Sequence, residues 1–190
     1  MDKRILWCEG AGIVCLIFFA CIVPSSLWKQ AQNLQRSQQD VQALVSRRQN
    51  KEAVLSDQTE QPVSETFDGV LIFVKDGLML PILSRWEESS YSAGVFSGSV
   101  HTRDLILSGH NDPSQFRSVM HLNLDDEVQI LDEDQTLHSY RVSRMETLKP
   151  NELEKLTGQE PDRWDLTLFT CTYDNLARRV IRLQEAVQTD

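Results

Sequence analysis

"DLTLFTCTYDNLARRVIRL", residues 165–183, contains an apolar strand-like run ending on a cysteine, a polar turn, and a second strand-like run opening on two arginines. Side chains of a strand alternate between faces, so Thr167, Phe169 and Cys171 share one side and Leu166, Leu168 and Thr170 the other. Asp174 and Asn175 are turn formers. In the second run Arg179, Ile181 and Leu183 share a face, and Arg178, Val180 and Arg182 share the opposite one. Ile181 and Leu183 are the residues to bury. Arg178 and Arg182 are therefore expected to face a groove outside the core.

Working outward, similar short runs recur: GVLIFV (69–74), LMLPIL (78–83), DLILSG (104–109), EVQILD (127–132) and LHSYRVSRMETL (137–148). Lys75-Asp76-Gly77 reads as the turn between the first two. Residues 112–123 and Asn151 to Thr157 suit short helices, the second behind Pro150, which can open a helix at its first turn. Many short strands and few helices in about 120 residues predict a mainly β fold, a mixed or closed antiparallel barrel with short helices.

The N-terminal third has a different character. Residues 5–23, ILWCEGAGIVCLIFFACIV, are apolar except for Glu9 and would rise about 28 Å as a helix, close to the roughly 30 Å hydrocarbon core of a bilayer. Trp7 and Trp28 suit the two interfaces. Lys3 and Arg4 precede the span, which places the N-terminus in the cytoplasm and residues 25–190 outside. A cleaved signal peptide is the competing reading, but Ala20 lacks a small partner at position 18. Phe18-Phe19-Ala20-Cys21 is a poor lipoprotein box. Residues 25–66 read as a helical stalk, with Leu27, Leu34 and Val41 spaced by seven and Leu44 and Val45 close behind, followed by a linker from Ser56 to Thr66. A solvated spacer is the simplest role for that helix. The expected organisation is thus 1–24 cytoplasmic tip and anchor, 25–66 stalk and linker, and 67–190 the globular domain.

Charge excludes one class of partner. The net charge is −9, and from Gln61 onward acidic residues outnumber basic ones 22 to 12. A nucleic-acid surface needs the opposite balance.

Of four cysteines, Cys8, Cys15 and Cys21 lie in the apolar segment, so Cys171 stands alone in the exported part. An unpaired thiol outside the cell is a linker, a reactive group or an inert core filler. Its position at a strand end beside a turn favours reactivity. A reactive thiol needs a base or cation nearby. Among His101, His110, His121 and His138, only His110 also ends a strand-like run and precedes a turn; the others read as surface residues.

These residues resemble a known family. TLFTC (167–171) fits the TLxTC signature of sortases, the membrane-anchored cysteine transpeptidases of Gram-positive bacteria, and SGHN (108–111) resembles their histidine motif. FRSVMHLNLDDEVQI (116–130) resembles their F-x-x-L-x-x-L-x-x-G-D-x-V segment, with Asp125 in place of the glycine. The similarity runs from about Phe67 to Gln184. Asn111 after the histidine and the short cysteine-to-arginine spacing look closest to class B and related clostridial sortases. The resemblance implies a closed sortase-type barrel, with Cys171 as nucleophile, His110 as general acid and base, and an arginine holding the substrate carbonyl. Arg178, seven residues after Cys171, is expected in that role over Arg179. Thr170, Asn111 and Arg179 are candidates for substrate contact. It further implies cleavage of a C-terminal sorting signal on secreted proteins and transfer to an amine of a peptidoglycan precursor or a pilin. No cofactor is implied, and no calcium-ligand spacing is evident. The lack of a C-terminal apolar segment favours cell-wall anchoring over pilus assembly. Two other classes share the motifs: an idle scaffold that keeps the fold, and a hydrolytic cysteine protease.

Overall fold

The computed structural model describes residues 28–46, 67–157 and 164–186. Eight strands close into a barrel: β1 (Phe67–Phe73), β2 (Leu78–Leu83), β3 (Ala93–Ser97), β4 (Leu105–Ser108), β5 (Glu127–Asp132), β6 (Leu137–Leu148), β7 (Leu166–Cys171) and β8 (Arg178–Glu185). Around the barrel the order is β1-β2-β3-β4-β7-β8-β6-β5. Most neighbours are antiparallel, but β2 with β3 and β4 with β7 are parallel. The barrel is therefore mixed. A parallel pair needs a long connection, and residues 84–92 and 109–165 supply them. β3 is the one strand with no sequence counterpart above: AGVFS, flanked by serine and glycine, has too short an apolar run to register.

The interior is filled by alternate residues of every strand, including Leu71 and Phe73 of β1, Leu80 and Ile82 of β2, Leu107 of β4, Ile130 of β5, Leu168 of β7, and Ile181 and Leu183 of β8. A 3₁₀ turn, Phe116–His121, plugs one end. Its Phe116 and Val119, with Leu122 just beyond, join the same core, and Phe116 meets Phe73 edge-on at 6.1 Å. Asp125 takes φ +66°, the left-handed conformation that glycine adopts freely. Aspartate is among the few other residues that visit it, since its short polar side chain can bond locally. That explains how Asp125 fills a position where the resemblance called for glycine.

The first two strands are apolar on both faces because both faces are covered. Helix α1, residues 28–46, lies across them: Val41 packs with Val70 and Leu131, and Leu44, Val45, Ile72 and Met79 border that cluster. Of the seven-residue apolar spacing only Val41 meets the barrel, with Leu44 and Val45 beside it, whereas Leu34 is exposed and Leu27 lies outside the described residues. The expected solvated spacer is instead a docked helix, held also by polar contacts: Gln30 Nε2 donates to Asp112 Oδ2 (3.3 Å), Tyr91 OH to Asp40 Oδ2 (2.6 Å), and the Arg36 guanidinium sits 4.1 Å above the Tyr91 ring.

On another flank the β6–β7 connection covers Phe169, Val180 and Ile106. It comprises a 3₁₀ turn, Pro150–Glu152, and the single-turn helix α2 (Glu154–Thr157), and it packs Leu153 and Leu156 beside Leu148. Arg182 anchors it. Nearly buried at 5% exposure, Arg182 donates to Glu146 Oε1 (2.8 Å), Thr167 Oγ1 (3.0 Å) and the carbonyls of Lys155 (2.8 Å) and Leu156 (3.1 Å). Among the described residues no helix is long and apolar enough to cross a membrane. The segment 5–23 and the linker from Ser56 to Thr66 lie outside the described residues.

Candidate active site

β7 and β8 run antiparallel, with Cys171 directly opposite Arg178 and Thr170 opposite Arg179. Directly opposed residues hold their Cβ atoms about 4.5–5.5 Å apart on one face. Leu166, Leu168, Ile181 and Leu183 occupy the interior, while Phe169 and Val180 pack outside. By alternation Cys171 and Arg178 both project onto the outer face, as the sequence pattern required.

The turn between them is bonded to itself. Thr172 Oγ1 donates to Asp174 Oδ1 (2.6 Å), and the Leu176 amide donates to the same oxygen (3.1 Å). The Ala177 amide donates to Thr172 Oγ1 (3.1 Å), and the Asn175 amide to the Thr172 carbonyl (2.9 Å). The hydrogen bond from Thr172, helped by the Leu176 amide, holds the Asp174 carboxyl below its ordinary range. Asn175 takes φ +59°, which asparagine tolerates. The register that sets Cys171 across from Arg178 is thus held by a built turn.

The histidine reaches the same place from β4. Ser108 lies beside Phe169 in the parallel β4–β7 ladder, so Gly109 to Asn111 continue along the end of β7. Two bonds tie them there: Thr170 Oγ1 donates to the Gly109 carbonyl (2.8 Å), and Asn111 Nδ2 to the Cys171 carbonyl (3.0 Å). Gly109 has no alternative, since a Cβ would lie 2.7 Å from Cγ of Phe116. His110 itself is held from outside. Its Nε2 is 2.8 Å from the carbonyl oxygen of Glu88, and its ring lies 5.8 Å from that of Trp86. A carbonyl only accepts, so Nε2 carries the hydrogen, and the neutral ring keeps Nδ1 as its basic nitrogen.

A cleft of about 460 Å³ contains all three groups, Cys171, His110 and Arg178, and is walled by Trp86, Glu88 and Phe169. Cys171 is a free, half-buried thiol. The arrangement offers a nucleophile, a proton-exchanging imidazole fixed by a third group, and a cation on the strand facing the nucleophile.

Other expected site residues fall differently. Thr170 is buried, with its hydroxyl committed to Gly109, and Asn111 holds the Cys171 backbone. Both hold the backbone that carries the histidine and the cysteine. Arg179, expected to contact substrate, projects to the other face of β8, with Nη2 3.2 Å from Met145 Sδ. His101 and His121 are exposed, as read from sequence. His138, also read as a surface residue, is partly buried between Asp132 Oδ2 (2.9 Å) and Glu185 Oε1 (3.4 Å). Trp86 and the Glu88 carbonyl escaped sequence reading. A backbone acceptor leaves no mark in a sequence, and one tryptophan in a polar loop was the only signal. Among the described residues no group of three His, Cys, Asp or Glu side chains is placed to hold a metal.

A family model described as the sortase domain matches residues 77–186, more than half of the chain. The chain belongs to the sortase family. Solved sortases share its fold at low identity. Sortase C1 from Streptococcus suis superposes with a TM-score of 0.53 at 20% identity, covering 65% of this chain and 74% of that one. A lid mutant of sortase A from Corynebacterium diphtheriae gives 0.57 at 17%, covering 80% and 97%. A sortase D5 transpeptidase from Clostridium perfringens gives 0.56 at 14%, covering 79% and 98%. No curated protein matches the chain. Sortases of three classes superpose about equally well, so what this sortase shares with them is the barrel. Members of the family are cysteine transpeptidases.

Proposed function

We propose that the protein is a membrane-anchored cysteine transpeptidase acting on a C-terminal sorting signal of exported proteins. The observation that carries this reading is the convergence of Cys171, His110 and Arg178 in one cleft from three strand ends. The Cys171 thiolate attacks the scissile carbonyl, Arg178 stabilises the oxyanion that forms, and His110 gives a proton to the departing amine. A thioester remains on Cys171. An incoming amine then attacks it, His110 takes up a proton, and the new amide leaves with the thiolate restored. The amine is that of a peptidoglycan precursor or a pilin. The apolar sequence 5–23 is the anchor, with Lys3 and Arg4 on the cytoplasmic side.

The test is incubation with a library of sorting-signal peptides, with and without an added amine. Mass spectrometry should find an acyl group on Cys171, and amine should convert the product from free acid to amide. Free acid alone would make the protein a hydrolase. Equal cleavage by Cys171→Ala would remove the enzymatic reading, and His110→Ala should cost at least about a hundredfold.

A further inference from the structure

The direction of α1 orients the molecule. Its first turns meet the catalytic end, because Gln30 bonds Asp112, two residues after His110. Its last turn lies at the other end, where Leu44 borders a pocket with Phe67, Glu133 and Gln135. From Gln30 to Leu44 the helix climbs about 21 Å, enough to span the barrel wall. The N-terminal end is therefore the one beside the cleft. Only residues 24–27 separate Val23, the last residue of the apolar sequence, from Trp28 in sequence. Five extended steps reach at most about 17 Å.

The same end carries an apolar rim. Trp28, Val74, Leu124, Tyr173 and Leu176 are exposed, from 47% for Val74 to 72% for Leu176. The loops bearing four of them are joined: Lys75 Nζ reaches the His121 carbonyl (3.3 Å) and Asp126 (2.9 Å), and Tyr173 OH lies 3.5 Å from His121 Nε2. Among the described residues the turn at the opposite end, Glu133 to Leu137, presents one exposed large apolar side chain, Leu137. Tryptophan and tyrosine favour the lipid interface, where one end of the ring is apolar and the other wet. Exposed apolar side chains gathered on one end mark an interaction surface.

We propose that the catalytic end of the barrel is a membrane-facing surface, its rim of Trp28, Val74, Leu124, Tyr173 and Leu176 seated in the headgroup layer of a lipid bilayer. This rests on the reading of 5–23 as an anchor and not on the catalytic reading. It places the mouth of the cleft where a membrane-held protein presents the stretch next to its own apolar tail. The turn from Glu133 to Leu137 points away from the bilayer.

The test uses the full chain as Cys171→Ala, reconstituted into phosphatidylglycerol–phosphatidylcholine vesicles. A fluorophore is attached through an encoded azide side chain at position 176 or at position 137, and a nitroxide is carried on lipid headgroups. Quenching at 176 should be several-fold stronger than at 137. Equal quenching at the two positions, or the reverse order, overturns the proposal, and so does a chain that fails to float with the vesicles. Turnover is absent by design, so peptide cleavage by the unmodified protein reports separately on the catalytic reading.

Discussion

Thr170→Val asks whether the threonine of the TLFTC run acts through its hydroxyl. The side chain is almost fully buried, and its Oγ1 donates to the Gly109 carbonyl at 2.8 Å. Valine keeps the shape and removes the donor, leaving a buried carbonyl unpaired at a cost of about 1–3 kcal/mol. For a barrel of this size, about 2 kcal/mol lowers Tm on the order of 8 °C. The functional loss should exceed what stability explains. Gly109 adjoins His110, and a shift of about 1 Å in a catalytic group costs roughly a hundredfold. Turnover of a cleaved peptide, measured well below the lowered Tm, should fall between about tenfold and a hundredfold, mostly in kcat. Thr170→Ser, which keeps the donor, should recover most of the rate. If valine matches the parent in both Tm and kcat, the bond does no positioning. If serine, which keeps the donor, is as impaired as valine, the hydrogen bond alone does not set the rate, and the reasoning fails.

Arg178→Lys should lose about a hundredfold in kcat/KM, because an ammonium does not reproduce the planar fork, whereas Arg179→Lys should lose far less; peptide turnover compares them. Arg182→Met should destabilise by about 3 kcal/mol, since Glu146 and two loop carbonyls lose their donor, and should speed protease cleavage within 149–163, as read by urea unfolding and limited proteolysis. Burial pushes the Asp132 carboxyl up, but hydrogen bonds from His138 and the Thr136 amide outweigh it and leave it below its ordinary value. A group depressed in the folded state stabilises above its unfolded pKa, near 4, and loses that contribution as pH falls through the folded value. Tm should therefore drop on acidification below about pH 4, and Asp132→Asn should flatten that drop.

The barrel strands were legible where apolar runs were long and bounded by turns, and β7 and β8 gave the outward face of Cys171 and Arg178 by alternation alone. β3 was lost because its glycine and serine carry little strand signal, and its pairing depends on Leu83 and Ile82 brought from elsewhere. The docking of α1 was written in Val41, Leu44 and Val45, yet a short apolar stripe on a helix looks the same whether it meets another helix or a sheet. What no pattern could reveal is the seat of His110. It depends on the Glu88 carbonyl and on the hydroxyl of Thr170, contacts separated by 22 and 61 residues.

The six-residue turn from Thr172 to Ala177 has an evolutionary corollary. Because strand side chains alternate, losing one residue there while the six-residue geometry persists would set Arg179 across from the thiol, but it would also turn Ile181 and Leu183 out of the core and Arg182 into it. A neighbouring arginine therefore gives no cover against a one-codon deletion, and the length of this turn is policed by the barrel interior as much as by the cleft.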